Sequence, residues 1–249
     1  MKQLWTICET GRNPAAGNAF SSLDAVFGLE GETIAESPIS RVVRTRVEGR
    51  RYYIKRYSRA GKHLRRFFGR SRVRAEWENL QLFGRLGIPI PRLVAYGQEY
   101  RCGVFLRGAL VTEELEHTVD MAALAREGSP LLSDGRWVDR VLARTADYVR
   151  RLHDVHFIHT DLKWRNILVT PDADPRVYFI DCPGGRIRNI DRSVRWYIKD
   201  IACLDKVAKY QLSRSVRLRF YMRYTGRRRL NQKDRDFLRG VLTYFEGRE

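Results

Sequence analysis

The stretch from His159 to Asp181 constrains this chain more than any other. Ile167-Leu168-Val169 and Val177-Tyr178-Phe179-Ile180 are short apolar runs, and the segment between them, Thr170 to Arg176, holds Pro171, Asp172, Asp174 and Pro175. Branched and aromatic runs around such turn formers predict a β-hairpin. In an antiparallel hairpin the start of one strand lies beside the end of the other. Asn166 and Asp181 are therefore brought together, and Asp161 sits one short loop upstream. A hard divalent cation takes oxygen ligands and leaves coordination positions for phosphate oxygens, a task for Asn166 and Asp181. A separate carboxylate, Asp161, can orient a hydroxyl and accept its proton. Phosphoryl transfer asks for this set.

The spacing His159-x-Asp161-x-x-x-x-Asn166, followed by the metal-binding Asp181, is that of a kinase catalytic loop. Ile180-Asp181-Cys182-Pro183-Gly184-Gly185, with Ile198-Lys199-Asp200-Ile201-Ala202 downstream, resembles the lipopolysaccharide kinase family of the protein-kinase-like superfamily. The resemblance implies an α+β, bilobed protein-kinase-like fold. A β-rich nucleotide-binding lobe would span 1–113, with an N-terminal extension over 1–32, and an α-helical catalytic lobe would span 114–249. It also implies use of ATP and Mg²⁺ and phosphorylation of a sugar hydroxyl, of heptose or Kdo, in the lipopolysaccharide inner core. Asp161 is then the catalytic base and Lys163 reaches the transferred phosphate, while Asn166 and Asp181 hold magnesium. His159 supports the loop. Asp200 is a buried helix carboxylate bonded to the loop; from the residues alone, a pair with Lys199 or Lys206 is equally simple.

In the first half, Val42–Val47 and Arg51–Lys55 flank the turn Glu48-Gly49. Lys55 falls where the kinase pattern places the strand lysine that holds the α- and β-phosphates. No G-x-G-x-x-G precedes it, so the loop from Ala35 to Arg41 has to cover the nucleotide, with Ser40 or Arg41 on phosphate. The resemblance also implies a glutamate near the start of the next helix that pairs with Lys55, which favours Glu76 over Glu78. Val104–Leu106 and Ala109–Thr112 flank Arg107-Gly108 as two strand runs. The second leads into Glu113 and Leu115, where the resemblance implies a hinge whose backbone takes the adenine edge. Trp137–His153, Ser193–Tyr210 and Asn231–Phe245 carry helical periodicity.

The formal net charge of +18 predicts an anionic partner. The lipid-linked sugar of the lipopolysaccharide core and the anionic inner-membrane surface both qualify. Nucleic acid would be held only through salt-sensitive, sequence-independent attraction. Two runs concentrate the charge: Arg59–Arg74, most simply a solvated face, and Ser213–Arg229, which reads as a basic amphipathic helix able to lie on a membrane or, alternatively, to pack the C-terminal lobe with its arginines in solvent. Arg186, Arg188, Arg192 and Arg195 crowd the exit of the metal site, suited to anionic groups on the acceptor. No apolar run approaches the roughly eighteen residues of a membrane span. The N-terminus meets Glu9 and Gly11 too early for a signal peptide. Four cysteines without disulfide or metal spacing fit reduced thiols. The expected location is cytoplasmic, peripheral to the inner membrane; oligomeric state is not legible. Only 18 residues separate Asp181 from Asp200 and no Ala-Pro-Glu follows, which argues against a protein substrate. An atypical protein serine kinase and a catalytically silent kinase-fold adaptor are the rival readings.

Overall fold

The computed structural model describes residues 2–8, 14–60, 69–188 and 193–247; the centre of the first basic run, 61–68, and Arg192 lie outside the described residues. The chain divides into two compact units, residues 1–81 with 91–116, and residues 82–90 with 117–249.

The first unit is a six-stranded antiparallel sheet in the order β1-β5-β6-β4-β3-β2. Its strands are β1 (Lys2–Ile7), β2 (Glu32–Ser37), β3 (Ser40–Val47), β4 (Arg50–Tyr57), β5 (Leu93–Arg101) and β6 (Val104–Glu113). The stretch expected as an extension is integral to this sheet. β1 pairs with β5 from Lys2↔Tyr100 to Ile7↔Ala95. Helices α1 (Pro14–Ala19) and α2 (Leu23–Gly28) follow, and Phe20, Leu23 and Val26 are fully buried against Tyr52, Ile54 and Val111. Each such side chain contributes roughly 1.5–3 kcal/mol by leaving water. Ser22 caps α2 by accepting the Ala25 N–H at 3.1 Å.

Arg107-Gly108 is not a turn: β6 runs straight through it. A Cβ at position 108 would stand 2.8 Å from the Gly97 carbonyl oxygen and 2.7 Å from a Val73 methyl, so glycine is there for close approach. The turn lies earlier, at Cys102-Gly103, both in the left-handed region. Helix α3 (Arg72–Arg85) begins within the first basic run.

The second unit is mostly helical. β7 (Val119–Asp120) and α4 (Met121–Arg126) lead to α5 (Gly135–Asp154), whose N-cap Asp134 accepts the N–H groups of Arg136 and Trp137. Val138, Val141, Thr145, Val149 and Leu152 form its buried stripe. β8 (Phe157–Ile158), β9 (Ile167–Val169), β10 (Val177–Phe179) and β11 (Arg186–Ile187) are short, and α6 (Ser193–Gln211), α7 (Arg214–Thr225) and α8 (Gln232–Thr243) complete the unit.

Helix α7 is not the free basic face its sequence predicts. Phe220 and Tyr221 are buried. Arg217 makes a bidentate pair with Asp205 at 2.6 and 2.5 Å, and Arg219 and Arg223 both reach Asp139, at 3.5 and 2.6 Å. Acids distant in sequence neutralise these arginines, a pairing that no local charge count reveals.

Candidate active site

In the first unit the central strand β4 presents Lys55. Its Nζ lies 3.0 Å from Oε1 of Glu76 in α3, whose side chain is 4% exposed. Glu78 instead meets Arg74 and Arg70 at the surface, at 2.7 and 3.1 Å. Glu76 is thus the helix carboxylate that the fold brings to the strand lysine. A buried carboxylate needs its oxygens satisfied, and the second is taken by the Tyr57 hydroxyl, itself 1% exposed. Tyr57 was not legible as a site residue, because an aromatic alternating along a strand reads as core.

Ser40 and Arg41 sit where the β2–β3 hairpin closes. The Ser37 hydroxyl accepts the Ser40 N–H at 3.1 Å and Arg41 faces Glu36 at 3.8 Å across solvent, so the loop is a serine-pinned turn. Glu113 ends β6, its N–H donated to the Arg92 carbonyl at 2.9 Å and its carboxylate 3.1 Å from Arg50. Leu115 follows in irregular backbone.

In the second unit the hairpin forms as its sequence predicts. β9 and β10 pair antiparallel, Ile167↔Phe179, and the Ile180 N–H reaches the Asn166 carbonyl at 3.0 Å. Asn166 and Asp181 therefore stand at neighbouring strand ends. The Asn166 amide nitrogen donates to the Asp161 carbonyl oxygen at 2.8 Å and lies 3.3 Å from its carboxylate, which ties Asn166 to Asp161. With the nitrogen so engaged, the amide oxygen is the Asn166 donor left for a cation, and Asp181 directly follows Ile180, whose N–H is bonded to Asn166. Two hard oxygen ligands with room for phosphate and water fit Mg²⁺. Among the described residues no group of three or more His, Cys, Asp or Glu could hold a metal ion. His153 and His156 are engaged elsewhere, with Tyr224 at 2.7 Å and Tyr197 at 2.8 Å.

Asp161 is about one-third exposed, with Lys163 Nζ 2.5 Å from one oxygen and Arg165 3.3 Å from the other. Burial raises its carboxyl, but the bonds and charge of Lys163 and Arg165 outweigh it and hold the group below its ordinary value of 3.8. Lys163, assigned to phosphate by resemblance, rests on this carboxylate in the present structure.

The loop is anchored from beneath. Asp200 is fully buried and accepts the His159 and Thr160 N–H groups at 2.7 and 2.8 Å. Pairs with Lys199 or Lys206 do not form; those ammonium groups lie over the Trp196 and Phe245 rings. Each buried N–H left without its acceptor costs about 1–3 kcal/mol, so one carboxylate fixes the loop's entry. His159 is 1% exposed between Phe83 and Phe179, and burial holds its imidazole below its ordinary value of 6.5 and uncharged. Thr160 and Asp181 have φ of 68° and 55°, the left-handed region where non-glycine strain gathers at functional sites. Gly184-Gly185 lets the chain after Asp181 hug the loop: a Cβ at 185 would sit 2.4 Å from both Cys182 Sγ and the Phe157 ring, and one at 184 would sit 2.7 Å from Thr160 Oγ1.

A Pseudomonas aeruginosa lipopolysaccharide core heptose(I) kinase, WaaP, is 28% identical over 98% of this chain and 90% of its own length. A 3-deoxy-D-manno-octulosonic acid kinase of Actinobacillus succinogenes is 32% identical over 43% of this chain and 41% of its own. A solved structure of WaaP in complex with acyl carrier protein matches with a TM-score of 0.72 and 27% identity, covering 99% of this chain and 97% of that one. The α+β architecture is therefore the kinase-like fold of WaaP. The family model for lipopolysaccharide kinases (Kdo/WaaP) matches residues 24–224, a span that takes in Lys55, the hairpin and Asp200, and the chain belongs to that family.

Proposed function

We propose that this protein transfers the γ-phosphoryl group of ATP to a hydroxyl of heptose or Kdo in the lipopolysaccharide core. The observation that carries this reading is the hairpin whose ends set Asn166 beside Asp181, with Asp161 bonded to Asn166. In it, Asp161 orients the sugar hydroxyl and takes its proton, while Lys163 and Arg165 keep that carboxylate ionised and Lys163 also meets the transferred phosphate. Asn166 and Asp181 are the ligands for magnesium, which supplies positive charge to the phosphates when bound. The first unit is read as nucleotide-holding: Lys55, fixed by Glu76, takes phosphate, Ser40 and Arg41 cover it, and backbone at Glu113 and Leu115 takes adenine.

The rival readings are weaker. A silent adaptor has no use for Lys55, Asp161, Asn166 and Asp181 together. A protein serine kinase needs a docking platform, and 18 residues between Asp181 and Asp200 leave little chain for one. No helix among the described residues is long and apolar enough to cross a membrane. With a net charge of +18, peripheral contact with the inner membrane is the proposed site of action. The test is incubation with Mg-ATP and delipidated inner-core oligosaccharide: one phosphate on a heptose or Kdo hydroxyl is the expected product. Phosphoserine in a protein mixture, with an unmodified oligosaccharide, would transfer the case to the protein-kinase reading.

The WaaP structure above is a complex with acyl carrier protein, and we propose the same class of partner for this chain. The second unit holds a partly open cavity of about 620 Å³ walled by Val141, Leu142, Ile201, Leu204, Ala208 and Phe220, with Lys209 and Arg214 also lining it. An apolar volume of this size suits a hydrocarbon chain. Titration calorimetry is expected to find acylated carrier bound more tightly than unacylated carrier, with Ala208→Trp abolishing the difference. Equal binding of both forms would refute the assignment.

A further inference from the structure

Large apolar side chains that stand exposed need a reason when they cluster with charge. Ile187 is 64% exposed and Val194 is 61% exposed, and both flank one contact. The Arg188 guanidinium lies 3.6 Å above the Trp196 ring and the Lys199 ammonium 5.4 Å from it. This stack joins the end of β11 to the first turn of α6. Arg186 and Arg195, both exposed, border it. Helix α7, in contrast, spends Arg217, Arg219 and Arg223 on Asp205 and Asp139.

We propose that the edge formed by Arg186–Arg188 and the start of α6 is the surface with which this protein docks on an anionic phospholipid bilayer. Ile187 and Val194 enter the boundary between headgroups and acyl chains, and Arg186, Arg195 and Lys199 meet lipid phosphate. Two observations favour a bilayer over a free anion. Protruding aliphatic side chains have no use for phosphate alone, whereas together with arginine, lysine and tryptophan they make the mixed surface that interfacial segments use. The edge is also strapped to the catalytic loop: β11 pairs with β8, Ile187↔Phe157, and the Arg188 N–H reaches the His156 carbonyl at 2.9 Å. β8 runs directly into His159, and Arg186 follows Asp181 by five residues. A bilayer meeting this edge is thus held close along the chain to both Asp161 and Asp181. The proposal rests on the reading that the acceptor sugar is carried by a membrane lipid.

The test is sedimentation of the full protein with vesicles of phosphatidylcholine, alone or mixed with phosphatidylglycerol. The variant is Ile187→Ser with Val194→Ser; the control is Val104→Ser with Leu106→Ser, which removes two other exposed aliphatic residues, 43% and 40% exposed, from β6. Partition of the variant onto anionic vesicles is expected to fall about tenfold, from lost apolar burial, with the control unchanged. Turnover of acceptor in vesicles is expected to fall with it, while turnover of delipidated oligosaccharide stays at the wild-type rate, which also reports that the variant is folded. Undiminished vesicle binding by the variant, or an equal loss in the control, overturns the proposal. Wild-type protein that binds anionic vesicles through this edge yet never phosphorylates the delipidated oligosaccharide would leave the docking edge standing and remove the sugar-kinase reading instead.

Discussion

The Asp161→Asn protein is expected to retain its fold and to transfer phosphate about 10²–10⁴-fold more slowly than wild type, the usual contribution of a positioned general base. The amide keeps the shape and an acceptor oxygen for Lys163, but it cannot take a proton from a hydroxyl. The Lys163 and Arg165 side chains are 43% and 60% exposed, so loosening their ion pairs with Asp161 perturbs stability little. The loss should fall on kcat, with the KM for ATP nearly unchanged. The pH dependence follows from the same contacts. With its folded-state pKa held below 3.8, Asp161 is ionised throughout the neutral range. Its contribution to stability is present above the ordinary value and is lost only as pH falls through the lowered one. The wild-type acid limb arising from this group should therefore lie in the carboxylate range or below. Unchanged turnover by Asp161→Asn would remove Asp161 from the chemistry.

The parts of the fold that local physics determines were legible. The hairpin was readable because short branched and aromatic runs around turn formers fix both the strands and which ends meet, and α5 because its buried stripe repeats every three or four residues. The carboxylate partner of Lys55 was legible through the resemblance, which places the pairing glutamate near the start of the helix, and Glu76 is found there. What escaped depends on tertiary packing. β1 is a single edge strand whose burial is partial, so it reads as an extension until β5 is known to lie beside it. Arg107-Gly108 separates two strand runs in sequence, whereas in the fold one strand runs through it and the glycine serves the approach of Gly97 and Val73. That α7 packs into the lobe was one of its two readings, but its ion-pair partners Asp139 and Asp205, up to 84 residues distant, were not legible. Tyr57 joined the proposed site only through its hydroxyl on Glu76. In the loop after His159, the resemblance sends Lys163 to phosphate, whereas in this structure it lies on Asp161.

The second large effect concerns Asp181. Asn is a conservative probe there because it tolerates the left-handed backbone, φ 55°, that the position requires. The substitution removes a charged oxygen ligand and leaves Asn166 as the single strong donor from the hairpin, too few to hold a hard divalent cation well. Nucleotide contacts made without metal, through Lys55 and the backbone near Glu113 and Leu115, should survive. The decisive measurement is calorimetric titration of wild type and Asp181→Asn with ATP, each with and without Mg²⁺. For wild type, magnesium is expected to tighten ATP binding by about tenfold or more, equivalent to at least 1.4 kcal/mol, and for Asp181→Asn that gain should vanish while metal-free binding stays the same. A full magnesium-dependent gain in the Asp181→Asn protein would contradict the account at its centre.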